Sequence, residues 1–297
     1  MRLKVWAAIL VASVAWGTTG VATRALLISG VGEIALVAVR STLAAILVAA
    51  YLVVRRGGVG KSPDAWRTGA VLGVTNLAAP FILLTYAYAY AGAGFVGLLV
   101  ALIPLATAVM AHFALPEERM HLAKAVGLVT ALVGVALLLV SGDSGLETGG
   151  RPQLAFVLAL AGVLSISAAS IYAKQRAHAY DTVEITATQF IVGAVILSIA
   201  TLAVEGVPGG FSGWEWTLLF YLTVGGSIIP FLAYFWLLRH VSATKASLIG
   251  YVVPLVALVG GIVLIDEKLQ FGIGAGGLLI LAGVILTDRS ERVRGRF

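Results

Sequence analysis

No cysteine occurs among the 297 residues, and charged side chains make up only 11% of the chain against 60% hydrophobic ones. Without cysteine there is no disulfide framework, no thiolate catalysis and no cysteine-based metal site. A water-soluble domain carries roughly 25% charged residues because its surface must be wetted. Too few charges are present here for that, so lipid is the expected main solvent. No polar stretch exceeds a short loop, and no soluble domain is expected. The formal charge of +6 comes from basic residues placed between apolar runs rather than gathered in a patch. It is therefore assigned to membrane topology and not to a nucleic-acid partner.

Also lacking is a carboxylate midway along any apolar run. All 14 Asp and Glu residues lie near the ends of such runs. Proton-driven efflux of cations needs a buried carboxylate that exchanges protons with its cargo, so a facilitator or exchanger is favoured over that mechanism. The histidines at 112, 121, 178 and 240 share no metal-binding spacing. No buried Asp pair or Ser–His couple suggests catalysis. Neither an enzyme activity nor a cofactor or metal is expected.

What the sequence does have is ten apolar runs. A hydrocarbon core of about 30 Å needs about 20 apolar residues per helix. Cutting at charges and Gly/Pro clusters predicts helices at 5–28, 34–54, 67–88, 93–114, 122–141, 152–173, 184–204, 215–238, 243–265 and 271–287. The first run follows Arg2 and Lys4 like a signal peptide. It is too long for a signal core and is expected to span and to be retained. If the amino terminus is cytoplasmic, sixteen of the 20 Lys and Arg residues face the cytoplasm. Only Arg24, Arg151 and Lys268 face outward, and Arg40 lies within a span. The bias predicts two cytoplasmic termini.

The chain also matches itself at an offset of 150. Trp66 pairs with Trp216, Pro80-Phe81 with Pro230-Phe231, Pro104-Leu105 with Pro254-Leu255, and Glu117 with Glu267. One residue out of that register, Gly127, Gly134 and Val135 pair with Gly276, Gly283 and Val284. The expected halves are 1–145 and 146–297, with five spans each. An odd number reverses the second half in the bilayer and puts Glu117 and Glu267 on opposite faces. Inverted repeats place a substrate site near the midplane between them.

These halves, the Trp16-Gly17 pair and the Pro104 and Pro254 helices resemble the EamA branch of the drug/metabolite transporter superfamily. So does the Glu-x9-Gly pattern of the first half, with its Glu-x8-Gly relative in the second. Within that branch the chain is similar to the YddG-type amino-acid exporters. The resemblance covers nearly the whole chain. It implies an all-α integral membrane protein with a basket-like bundle of ten helices around a central cavity, in a bacterial inner membrane. It also implies export of small metabolites. Its motifs are mostly structural, so cargo does not transfer with them.

Several residues are candidates for that cavity. Pro80, Pro104, Pro230 and Pro254 interrupt helices and free the carbonyls of Asn76, Val100, Gly226 and Gly250, which must then face protein or water. They are kink or gating positions. Thr223, Ser227, Pro230 and Tyr234 fall on one helical face, as do Ser247, Tyr251 and Pro254. Ser13, Trp16, Gly20 and Thr23 form another such face, Ser165 and Tyr172 line the sixth span, and Asn76 adds an amide. Trp16 and Tyr251 sit deep enough to contact an aromatic cargo. Tyr86, Tyr88, Tyr90, Phe235 and Trp236 read mainly as interfacial belt residues. Glu117 and Glu267 read as caps of the helices that follow them. Two roles are open to Arg40: clamping a carboxylate, or a structural role, snorkelling outward or tying helix ends together, which is the preferred reading. Gln189 lies in the matching region of the second half.

The expected activity is export of amino acids, including aromatic ones, by alternating access. Alternatives are a permease for purines, sugars or drugs, and a passive channel. The expected partners are a small molecule and the bilayer, with a monomer sufficient for transport.

Overall fold

The structure is a computed structural model that describes residues 2–60, 63–115, 122–146, 149–176, 180–246, 249–250 and 253–294. Ser247, Tyr251 and Glu117 lie outside the described residues. The described chain is helical in ten units: α1 (Arg2–Ile28), α2 (Glu33–Arg56), α3 (Pro63–Tyr90), α4 (Ala93–Ala114), α5 (Leu122–Ser141), α6 (Pro152–Gln175), α7 (Thr182–Val204), α8 (Gly213–His240), α9 (Val253–Ile265, preceded by a turn of helix at Ala243–Ala246) and α10 (Phe271–Arg294). Seven of these are long and apolar enough to cross a membrane, and shorter apolar helices within α5, α9 and α10 complete the set.

Local chemistry sets the ends. Gly57, at φ 73°, closes α2 by donating its N–H to the Val53 carbonyl, a left-handed stop that glycine adopts at little cost. Asp181 caps α7 by accepting from the N–H groups of Val183 and Glu184. Ser212 and Glu215 form a reciprocal capping box at the start of α8.

Four prolines break helices from within. Pro80 and Pro230 each follow a π turn, Gly73–Ala78 in α3 and Val224–Ile228 in α8. Pro104 follows a break at residues 101–102 of α4, and Pro254 opens α9. Proline lacks the N–H that an uninterrupted helix requires but fits the first turn of a helix that resumes. The two π turns sit at equivalent places of the 150-residue repeat.

Packing follows a two-fold rule in which each unit of the first half exchanges with the unit five later. α2 packs on α7, α4 on α9 and α5 on α10. The contact of α3 with α6 is matched by α8 with α1, that of α1 with α9 by α6 with α4, and that of α3 with α7 by α8 with α2. Where α5 crosses α10, the repeated glycines meet. A Cβ on Gly134 would lie 2.6 Å from the Gly276 carbonyl, and one on Gly283 would lie 2.4 Å from that of Gly127. Only glycine admits backbones so close.

The two halves run in opposite senses. On one face of the bundle, here face A, the end of α3 meets the start of α6 through Arg151 N–H to the Tyr90 carbonyl at 2.9 Å. The start of α2 meets the end of α7 there through Glu205. On the other, face B, Arg56 at the end of α2 pairs with Asp181 before α7 at 2.8 Å. Gln175 closing α6 donates to the Ala114 carbonyl closing α4 on the same face. α2 therefore begins on face A and its counterpart α7 on face B.

Candidate functional site

The halves enclose a central cavity of about 120 Å³, room for about ten water molecules. Helices α1, α2, α3, α4, α6, α8 and the residues around the start of α9 all contribute to it.

Arg40 in α2 is 4% exposed and borders the cavity. Its Nε and Nη2 donate to Ser227 Oγ at 3.1 and 2.8 Å, and Nη2 also donates to the Gly226 carbonyl at 3.2 Å. Ser227 Oγ in turn donates to the Leu222 carbonyl at 2.9 Å, five residues earlier, as the π turn allows. The hydroxyl proton is thus directed away and its lone pairs face the guanidinium. The guanidinium carbon sits 4.4 Å above the Phe81 ring, a cation–π distance. Arg40 therefore does not snorkel outward, one of the two structural roles the sequence offered; it ties α2 to α8 inside the bundle. Its side chain turns inward because the π turn of α8 presents a carbonyl and a hydroxyl to it.

A second polar contact lies beside the π turn of α3. Asn76 borders the cavity and donates to Gln189 Oε1 at 3.3 Å. Gln189 Nε2 is buried without a hydrogen-bond partner among the described residues. Ser165 donates to the Thr75 carbonyl at 2.6 Å, a group that Pro80 cannot serve once the π turn shifts the register by one. Ser165, Ser227 and Gln189 thus stand behind the cavity wall, while Trp16, Arg40, Asn76 and Tyr234 are on it.

Aromatic rings form the floor toward face B. Trp16 meets Phe231 and Tyr234 edge-on at 5.5 and 5.6 Å between centroids. Phe235 continues the stack to Tyr180 at 6.1 Å. Tyr234 is hydrogen-bonded to Ser170 of α6. Phe235 is fully buried, which corrects its reading as a belt residue. Tyr88 is corrected likewise: it is 8% exposed and lines the cavity, with its hydroxyl over Gly20, where a Cβ would come within 2.6 Å.

The structure adds residues that the sequence did not single out for the site: Phe81, Thr85, Phe231 and Thr19. Thr19 is three residues from Trp16 and Phe231 follows the repeated Pro230, signals that pointed to both. Ser13 instead ties α1 to the Ile249 carbonyl at 3.0 Å. Gly250 lines the cavity just before α9, and a Cβ there would lie 2.9 Å from Pro104 Cδ.

Glu267 does not cap the helix that follows it. Its carboxylate accepts from Ala93 N–H and Gly94 N–H, at the start of α4. Burial pushes this carboxyl above the usual range, against those two hydrogen bonds and the nearby Arg24 charge. Among the described residues no cluster of metal-ligating side chains is present.

Two inverted five-helix halves closing on one cavity define a membrane transporter architecture. The chain belongs to the EamA-like transporter family, whose model matches residues 3–140 and again 153–288. That membership supports a transporter function. It is 30% identical over 208 residues to the uncharacterized transporter YoaV of Bacillus subtilis, which covers 69% of each chain. It is 26% identical over 291 residues to the uncharacterized inner membrane transporter YedA of Escherichia coli, covering 96% of this chain and 91% of that one. A solved crystal structure superposes with a TM-score of 0.70 over 97% of both chains at 20% identity, a likeness of fold alone.

Proposed function

We propose that this transporter is an inner-membrane exporter of small metabolites, amino acids with aromatic ones among them, working by alternating access without a buried carboxylate proton relay. The carrying observation is the cavity itself, with aromatic rings on one wall and a guanidinium, an amide and hydroxyls on the others. Rings accept an apolar side chain, and the polar wall hydrogen-bonds the head group of an amino acid. Trp16, Asn76 and Tyr234 are proposed to touch the cargo. Ser165, Ser227 and Gln189 are proposed to hold the wall behind them, and Pro80, Pro104, Pro230 and Pro254 to supply the bending points. Ser247 and Tyr251, also proposed as contacts, flank the lining residues Ile249 and Gly250 in sequence.

Placement in an inner membrane is supported by the relative YedA, which carries that description. A cytoplasmic face B is supported by charge. Among the described residues Arg55, Arg56, Lys174, Arg176, Arg239 and Lys245 lie at helix ends there, against Arg24, Arg151 and Lys268 toward face A, a bias that the positive-inside rule reads as cytoplasmic for face B. The stack from Phe231 through Phe235 to Tyr180 lies between the cavity and face B, which supports alternating access over an unbroken pore.

The test is counterflow in proteoliposomes loaded with unlabelled amino acids, with and without a pH gradient. Saturable exchange that ignores the gradient is expected. Indifference to every amino acid would remove the cargo, and strong acceleration by the gradient would remove the mechanism.

A further inference from the structure

Arg40 carries a positive charge at neutral pH, is 4% exposed, and among the described residues is bonded only to neutral groups, the Ser227 hydroxyl and the Gly226 carbonyl. Among the described residues the ion pair that is present, Arg56 with Asp181, lies at face B. Among the described residues, no Asp or Glu lines the cavity. Burying a charge without a counter-ion is costly, and the hydrogen bonds that Arg40 donates to Ser227 and Gly226 compensate only part of it. Three of the five guanidinium N–H groups are engaged by these contacts. The Nη1 pair donates to no described residue, although the side chain borders the cavity.

We propose that Arg40 is the anchor for a carboxylate on the cargo, so that the site selects small organic acids with an apolar or aromatic body and does not require an ammonium group. The proposal rests on the transport reading of the cavity and narrows it. A monoanion brings the site to neutrality and offers two oxygens to the planar fork. Its body then lies against Trp16, Phe81 and Phe231, all on the same cavity. An amine without a carboxylate would place a second positive charge beside Arg40, with no acid on the described lining to balance it. A packing role for Arg40 explains the bonds to α8 but gives no reason for a guanidinium in place of a neutral donor.

The experiment measures thermal stabilisation of the detergent-purified protein by four ligands of one shape at millimolar concentration. These are 3-phenylpropionate, phenylalanine, 3-phenylpropionamide and phenethylamine. A ligand that binds the folded state raises Tm. The two carboxylates are expected to bind about tenfold or more tighter than the amide or the amine, and Arg40→Gln is expected to abolish the difference. Arg40→Lys keeps the charge without the fork and should retain part of it. If Arg40→Gln does not fold, Arg40→Lys and the four ligands on the native protein still decide the matter. Equal stabilisation by the amide or amine, an undiminished carboxylate effect in Arg40→Gln, or no response to either carboxylate would overturn the proposal. Counterflow of a non-acidic cargo alongside those results would overturn the anchor while leaving the transport reading intact.

Discussion

The carboxylate of Glu267 accepts hydrogen bonds from Ala93 N–H at 2.7 Å and Gly94 N–H at 3.2 Å, joining the end of α9 to the start of α4. Glu205 makes the same contact with Ile34 N–H and Ala35 N–H at 2.7 and 2.8 Å, joining α7 to α2. Each clasp links the two halves on face A and satisfies backbone donors that a helix start leaves open. Glu267→Ala should therefore destabilise the protein by about 2 kcal/mol, in the range of charge-assisted hydrogen bonds. Glu267→Gln, which keeps an acceptor, should cost less. Thermal unfolding in detergent checks the order, and an Ala variant as stable as the native protein would contradict it.

On face B the corresponding link is Arg56 with Asp181. Burial pushes the Asp181 carboxyl up. The hydrogen bond from Arg56 and those from the N–H groups of Glu184 and Val183 outweigh it and hold the carboxyl below its ordinary value of 3.8. A depressed acid adds stability above its unfolded pKa, and that contribution is lost as pH falls through the lower, folded one. Acidification below about pH 4 should therefore weaken the native protein more than Asp181→Asn. Both partners are partly exposed, so the ion pair contributes only about 0.5 kcal/mol. A double-mutant cycle with Arg56→Gln measures it.

Gly250, just before α9 in sequence, packs against Pro104 beside the break in α4. A Cβ would contact Pro104 Cδ at 2.9 Å, so Gly250→Val must push the two segments apart. Overpacking of this kind costs about 1–3 kcal/mol. The variant should insert normally and transport at least tenfold more slowly. Unchanged counterflow would show that this contact does not move with the transport cycle.

Trp16 makes edge contacts with Phe231 and Tyr234 and faces the cavity. Trp16→Ala should impair transport of aromatic cargo while folded protein remains in the membrane, as fluorescence-detected gel filtration would show. Tyr251→Ala is expected to behave likewise. Unchanged rates in both would remove these residues from the site.

Much of the architecture was legible in the sequence because lipid imposes simple rules. Ten apolar runs and the matched pairs Trp66/Trp216, Pro80/Pro230 and Pro104/Pro254 give the helix number and the inversion. The facing glycines of α5 and α10 were visible as a repeat, though not as a mutual contact. Less legible was which way a side chain faces. Tyr88 lies near a helix end, where a belt residue and a cavity residue have the same sequence signature, and only the opening left by Gly20 decides between them. Arg40 was visibly within a span, but its inward turn depends on the π turn before Pro230. Proline announces a freed carbonyl without announcing the inserted residue that swings Ser227 toward α2. The hydroxyl stripes were split for the same reason: Ser13 and Ser165 bond neighbouring helices, because a backbone carbonyl lies within reach of each.

The most direct test of the inverted architecture uses single thiols, which the cysteine-free chain makes unambiguous. Asp64→Cys and Gly213→Cys fall in the first turns of α3 and α8, both exposed. In intact cells a membrane-impermeant maleimide should label position 213 and reach position 64 only after the membrane is opened. Labelling of both thiols from the same side would contradict the account.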